Sequence, residues 1–263
     1  MPEKKKLKLA KVGKPENIKK NFSKVVPDHV VRLTYVLIGV CLLVAVLQTG
    51  LYFLEGEEAV DVLFQEYGFS INGFLAGDWW TPITSMFLHG SVDHLIFNMI
   101  VLYFFGKATE EKLGWKKTLL VFLIAGLAGN LATLLGGFAG LIPMGIPTIG
   151  ASAAIFGLMG VSMIVDPLEM VFYPFLIPIP LIFVAVIYGL YNIIASLELF
   201  FGGASQIAYL AHIGGLTAGG IFGFHQVGWK RALAVIIAIV LLVISLPLIL
   251  QYLHVFDYSG MFG

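Results

Sequence analysis

Four polar side chains sit where the surrounding sequence is apolar: Ser152 in GASAAIFGL (150–158), His212 in AHIGGLTAGG (211–220), and His94 with Asn98 in VDHLIFNM (92–99). A serine hydroxyl is a weak nucleophile until a neighbouring base takes its proton, and a neutral imidazole suits that task. His94 and Asn98, four residues apart, share one helical face, from which they can donate hydrogen bonds to a developing oxyanion. The backbone N–H of Ser152 joins them, because a helix that starts there leaves this group without an intrahelical acceptor. The set amounts to a Ser–His dyad with an oxyanion pocket. No carboxylate is placed to orient His212, so the third member of a triad is missing. Phe156, one turn after Ser152, is in position to lay its ring on the His212 imidazole. Each residue alone has an ordinary use as a helix cap or an interhelical hydrogen bond; the chemistry rests on all of them reaching one place.

The elements that must bring them there are membrane helices. The 263 residues are 59% hydrophobic and 12% charged, with mean hydropathy +0.92, more apolar surface than a soluble domain can hide. Seven apolar stretches run roughly over 33–54, 91–106, 118–136, 150–165, 171–200, 207–224 and 232–253. Spanning takes about 20 residues, so the second and fourth are short. The first starts near residue 33 and is long enough to span, so no removable signal peptide is expected. The single cysteine, Cys41, cannot form an intrachain disulfide, and no zinc pattern exists. No metal or cofactor is expected, and a formal net charge of zero argues against nucleic acid as a partner.

Charge sets the orientation. All 16 lysines and arginines fall in three clusters, Lys4 to Arg32, Lys107 to Lys117, and Lys230 with Arg231. With seven spans and a cytoplasmic N-terminus these clusters share the cytoplasmic side. The opposite loops, 55–90, 137–149, 201–206 and 254–263, contain no Lys or Arg. The expectation is a multi-pass protein of the cell (plasma) membrane. The first external loop is acidic and carries Trp79 and Trp80, which suits partial immersion at the interface. Pro174, Pro178 and Pro180 make the fifth span irregular, as a lateral gate or as a static kink.

In this orientation spans two, four and six run the same way, each with a polar group near its outer end. From Gly150 to Val165 are 16 residues, about 24 Å of helix, against a hydrocarbon core about 30 Å thick. Ser152 therefore lies below the outer surface. Ala153, Gly157 and Gly160 form a small-residue stripe on span four, and Ala208, His212, Gly215 and Gly219 one on span six. Such stripes let membrane helices approach closely, and facing each other they bring His212 toward Ser152. Asn130 and Asn192 fit interhelical hydrogen bonds, and Glu198 fits the interface.

With these residues in place, the sequence resembles the rhomboid family of intramembrane serine proteases. The matching pieces are WWTPITSMFLHGSVDHLIFNM (79–99), GKATEEKLG (106–114), GASAAIFGL and AHIGGLTAGG, in family order and spacing over roughly 33–225. The resemblance implies Ser152 as nucleophile and His212 as general base, with His94, Asn98 and the Ser152 amide stabilising the oxyanion. It also implies Phe156 stacked on His212, close packing at Gly215 and Gly219, and structural roles for His89 and Glu110. Two positions depart from the family pattern: Ala153 replaces the glycine of GxSG, and Thr81 replaces the arginine of a Trp-Arg pair.

The resulting expectation is an all-α polytopic membrane protein: a basic cytoplasmic tail (1–32), a six-helix rhomboid protease core (33–225), and an additional C-terminal transmembrane helix with a short external tail (226–263). Its expected activity is endopeptidase cleavage of other membrane proteins near the outer side of the bilayer. Its partners are the lipid bilayer and substrates whose transmembrane segment is helix-destabilised, because unwinding a helix in lipid exposes unpaired amides. The alternative is a non-proteolytic member that binds membrane proteins, although such relatives typically lack the serine or histidine. A transporter or channel would need polar groups along the full depth, whereas spans two, four and six become apolar toward the inside.

Overall fold

In lipid the backbone has no hydrogen-bond partner but itself, so long apolar stretches fold as helices. The computed structural model describes residues 32–173, 177–197 and 206–252. The basic leader through residue 31, Pro174 and Glu198 lie outside the described residues, as do the side chains of Asn192 and Ala208 and the tail after residue 252. The elements are α1 (Leu33–Glu55), α2 (Glu57–Tyr67), α3 (Ile71–Ala76), α4 (Thr81–Thr84) with a 3-10 turn (Ser85–Phe87), α5 (Val92–Leu113), α6 (Trp115–Phe138), α7 (Ser152–Val165), β1 (Met170–Tyr173), β2 (Ile177–Pro180), α8 (Leu181–Leu197), α9 (Gln206–Val227) and α10 (Trp229–Tyr252). Among the described residues α1 and α6 are each long and apolar enough to cross a membrane. The segments Thr81–Phe87 and Val92–Leu113, bent by 94°, would make a third span if counted as one. Helices α7, α8, α9 and α10 occupy the other expected stretches.

The otherwise all-helical fold carries a short hairpin in the stretch 171–200, which is irregular, as its prolines imply. Its first part pairs as an antiparallel hairpin, Met170 opposite Pro180 and Tyr173 opposite Ile177, and the helix starts only at Leu181. Proline has no N–H to donate and cannot continue a helix interior, but a two-stranded hairpin has an outer edge that tolerates it. Pro178 and Pro180 therefore precede the helix instead of bending it. The first loop, too, is built: it folds as α2, α3 and α4.

Helix α7 is the centre of the bundle, with 11 of its 14 residues buried. It packs most extensively on α9, with α6 against both and α5 on its other flank. The α7–α9 contact is backbone on backbone. A Cβ at Gly215 would collide with the carbonyl of Ala153, and one at Gly219 with that of Gly157. A Cβ at Gly160 would likewise come within 2.7 Å of the Leu216 carbonyl oxygen. The order of these pairs makes α7 and α9 parallel, and the two small-residue stripes do face each other. Ion pairs from Lys112 Nζ to Asp166 (2.6 Å) and Glu169 (3.7 Å) join the C-terminal end of α5 to that of α7, so α5 runs parallel as well. In the core, Thr109 and Ser162 share a hydroxyl hydrogen bond of 2.9 Å between α5 and α7.

Glu110 fixes α1 to α5. Its carboxylate accepts from the backbone N–H groups of Arg32, Leu33 and Thr34, each at 2.9 Å, and from the Thr34 hydroxyl at 2.8 Å. These are the donors that a helix start leaves unpaired, and a negative charge there is favoured by the helix dipole. Glu110→Ala strands all of them at a fully buried site. The expected cost is about 3 kcal/mol, read as a lowered thermal unfolding midpoint in micelles; Glu110→Gln should fall between this variant and the wild type.

Candidate active site

The site is built at the end of the bundle where α5, α7 and α9 carry their polar residues. The chain enters α7 through Gly150, whose φ of +121° is a backbone conformation favouring glycine. Its missing side chain is equally necessary, because a Cβ there would sit 2.8 Å from both Cε1 and Nε2 of His94 and 3.6 Å from Nδ2 of Asn98. The turn thus lets the imidazole edge and the amide reach the backbone two residues before Ser152. Gly150 N–H donates to the Ser85 carbonyl at 2.8 Å, which pins the turn to the 3-10 segment. Ser152 is the first residue of α7, so its N–H has no intrahelical acceptor.

On α9, His212 is held between rings. Phe156 stacks on it with centroids 4.3 Å apart and planes 11° from parallel, and Tyr209 meets it edge-on at 6.2 Å. The stack continues to Tyr188 of α8, 5.2 Å from Phe156. Ser152, His212, His94, Asn98, Tyr188 and Tyr209 all line one cavity of about 470 Å³. Within it the Asn98 amide nitrogen is buried and has no acceptor among the described residues. A buried donor left unpaired is costly, and one aimed into a cavity is poised to donate to whatever anion forms there.

The structure therefore brings Ser152, His212, His94 and Asn98 to one cavity, with Phe156 stacked on His212 and Gly215 and Gly219 in the seam beneath. Two supporting residues, Gln48 and Ser91, have partners that the sequence does not show. Gln48, buried in α1, clamps His89 with both ends of its amide: Nε2 donates to the His89 carbonyl at 3.0 Å and Oε1 accepts from its N–H at 3.2 Å. This fixes the approach to α5, whose start is capped by the Ser91 hydroxyl accepting from the His94 N–H at 3.1 Å. Asn130 makes the expected interhelical hydrogen bond, its Nδ2 donating to the Pro82 carbonyl of α4 at 2.9 Å. At position 81 the loop is anchored without an arginine: the buried Thr81 hydroxyl donates to the Asp78 carbonyl at 2.8 Å, and Trp80 Nε1 to that of Glu66 at 3.0 Å. The methyl of Ala153 lies opposite Gly129, where a second Cβ would come within 2.5 Å; the glycine on α6 makes room for it.

A helical bundle of this apolarity, with polar side chains meeting at an internal cavity, defines an integral membrane protein. A Rhomboid domain matches residues 76–229, more than half of the chain, and the chain belongs to the rhomboid family, most of whose members are intramembrane serine proteases. It is 30% identical to rhomboid protease GluP of Bacillus subtilis over 229 residues, 85% of this chain and 40% of that protein. It is 29% identical to the mitochondrial RHOMBOID-like protein 12 of Arabidopsis thaliana over 171 residues, 60% of this chain and 50% of that one. With RHOMBOID-like protein 1 of the same plant the identity is 31% over 147 residues, 55% of this chain and 34% of that relative. The chain thus spans half or less of the length of these relatives.

Proposed function

We propose that this chain is a rhomboid-type intramembrane serine endopeptidase that cleaves transmembrane segments of other membrane proteins. Ser152 Oγ attacks the scissile carbonyl while His212 takes its proton. The oxyanion accepts hydrogen bonds from the Ser152 N–H, from Asn98 Nδ2 and from the His94 ring. Collapse expels the amine, which leaves with the proton held by His212, and an acyl-enzyme remains on Ser152. Water, deprotonated by His212, then attacks the ester and the peptide acid departs. Phe156 holds the imidazole plane by stacking, a role a carboxylate fills in triads. The observation that carries this reading is the common cavity of nucleophile, base and unpaired amide donor, fixed by a seam of backbone contacts.

The described basic residues support the orientation. Lys112 meets Asp166, Lys117 Nζ donates to Gln226 at 2.6 Å, and Arg231 donates to the Val165 carbonyl at 2.8 Å, all at the end of the bundle opposite Ser152. Positive charge prefers the cytoplasm, so the N-terminus is cytoplasmic in this reading, the site opens toward the outer leaflet, and the plasma membrane is the home of the protein. The substrate must expose an extended segment to reach Ser152, which favours one whose helix is weakened by glycine or proline.

The test is cleavage of a model transmembrane substrate by purified protein in proteoliposomes. Wild type should cleave and accept a fluorophosphonate label on Ser152; Ser152→Ala should do neither. Cleavage by Ser152→Ala at the wild-type rate would overturn the assignment. A wild-type protein that binds the substrate but neither cleaves nor labels would be the non-proteolytic alternative.

A further inference from the structure

The aim of the His94 ring is not set by its own helix. Its Cε1–Nε2 edge faces the turn at Gly150, where a Cβ would sit 2.8 Å from both atoms. The Ser91 hydroxyl accepts from the His94 N–H, which fixes the main chain but not the ring. The outer side-chain torsion of histidine is broad and roughly two-fold. A ring that must present one nitrogen to a cavity therefore needs a neighbour to hold it.

That neighbour is His89. The two imidazoles meet with centroids 5.2 Å apart and planes at 61°. His89 is 5% exposed and is itself held twice. Its Nδ1 lies 3.2 Å from the Phe87 carbonyl; a carbonyl only accepts, so Nδ1 carries the hydrogen and donates it. Its main chain takes both hydrogen bonds of the Gln48 amide, a side chain buried in α1. The remaining ring nitrogen, Nε2, is buried with no partner among the described residues. Filling space with an imidazole that strands one nitrogen is costly, and a phenylalanine ring would fill it without that cost. What the imidazole adds is the Nδ1–H bond, which fixes the plane of the ring against His94.

We propose that His89 is a positioning residue for His94. The Gln48 amide and the Phe87 carbonyl hold His89, and its ring keeps the Cε1–Nε2 edge of His94 on the Gly150 turn beside Ser152. Three side chains thus link α1, through the end of the first loop, to the oxyanion pocket. The inference rests on the reading of His94 as an oxyanion donor.

The test combines kinetics in proteoliposomes with nitrogen-15 spectra of the histidine rings of the full chain in micelles. His89→Phe leaves the Gln48 clamp in place, because both its bonds go to main chain. It should lower kcat about tenfold, less than the loss of about a hundredfold for a misplacement near 1 Å, with KM and the unfolding midpoint close to wild type. In a His94→Ala background the same substitution should cost no further rate, because its effect passes through the ring already removed. Gln48→Leu changes neither imidazole, yet should shift the His94 ring signals, identified by their loss in His94→Ala. Losses that multiply in the double variant of His89→Phe and His94→Ala would overturn the inference and leave His89 a packing residue. So would His94 signals unmoved by Gln48→Leu. A wild type that fails to cleave would overturn the proteolytic reading alone, and the spectra would still decide this one.

Discussion

Gly215→Ala is expected to lose both stability and cleavage. The added methyl meets the Ala153 carbonyl, its carbon and the Ala153 Cα, all main-chain atoms of the central helix, so no rotamer change relieves the contact. Overpacking of this kind costs about 1–3 kcal/mol. The collision lies one residue past Ser152 on α7 and three residues past His212 on α9, so the relief moves the proposed nucleophile and base apart. A displacement near 1 Å from productive geometry lowers rates about a hundredfold. Gly39→Ala supplies the control: that position in α1 has no atom within 4 Å of a Cβ, and alanine there should leave cleavage unchanged and the unfolding midpoint equal or slightly higher. Thermal unfolding in micelles beside initial cleavage rates reads both arms. Gly215→Ala with wild-type stability and rate would show that the seam does not set the separation of Ser152 and His212.

The second large effect concerns the proposed oxyanion donors. Asn98→Ala should lower kcat by about 10²–10³, the loss typical of removing one such donor, with KM little changed. The variant also removes a buried nitrogen that has no acceptor among the described residues, so its stability should hold or rise. Opposite movement of stability and rate separates catalysis from mere support. His94→Ala should lose a similar factor in kcat. The double variant should fall short of the product of the two, because donors to one oxygen act as a unit. A fall in stability matching the fall in rate would assign Asn98 to the scaffold.

How much of this was legible before any coordinates follows from what kind of signal each residue leaves. Ser152, His212, His94 and Asn98 stand out because a polar side chain in an apolar run is costly and seldom accidental. The seam was legible because glycine and alanine at four-residue spacing have few other uses in a membrane helix. Gln48 escaped, although it too is polar within an apolar run, because its partner is the backbone of a residue 41 positions away, and main-chain partners leave no pattern. The hairpin escaped because Val171, Phe172 and Ile179 are as apolar as any span; hydropathy carries no information on period where every position is apolar. The prolines made the irregularity of this stretch legible but not its form. Proline forbids a helix interior, but whether the chain kinks or changes structure depends on a pairing strand. Thr81 and Gly129, by contrast, answer the two departures from the family pattern only in three dimensions: a hydroxyl replaces an arginine as anchor, and a glycine on α6 absorbs the methyl of Ala153.

The backbone-to-backbone seam also limits how a protein built this way can diversify. Where carbonyls of one helix rest on the bare Cα atoms of another, no larger residue substitutes and no smaller one exists, so Gly215 and Gly219 leave selection nothing to vary. Differences in speed or substrate taste among descendants of this chain must then be written in the shell: the rings of Tyr188 and Tyr209, the Gln48 clamp, and the helical first loop. A fixed seam between the proposed nucleophile and base, surrounded by replaceable fittings, is an architecture in which selectivity can drift without the chemistry being put at risk.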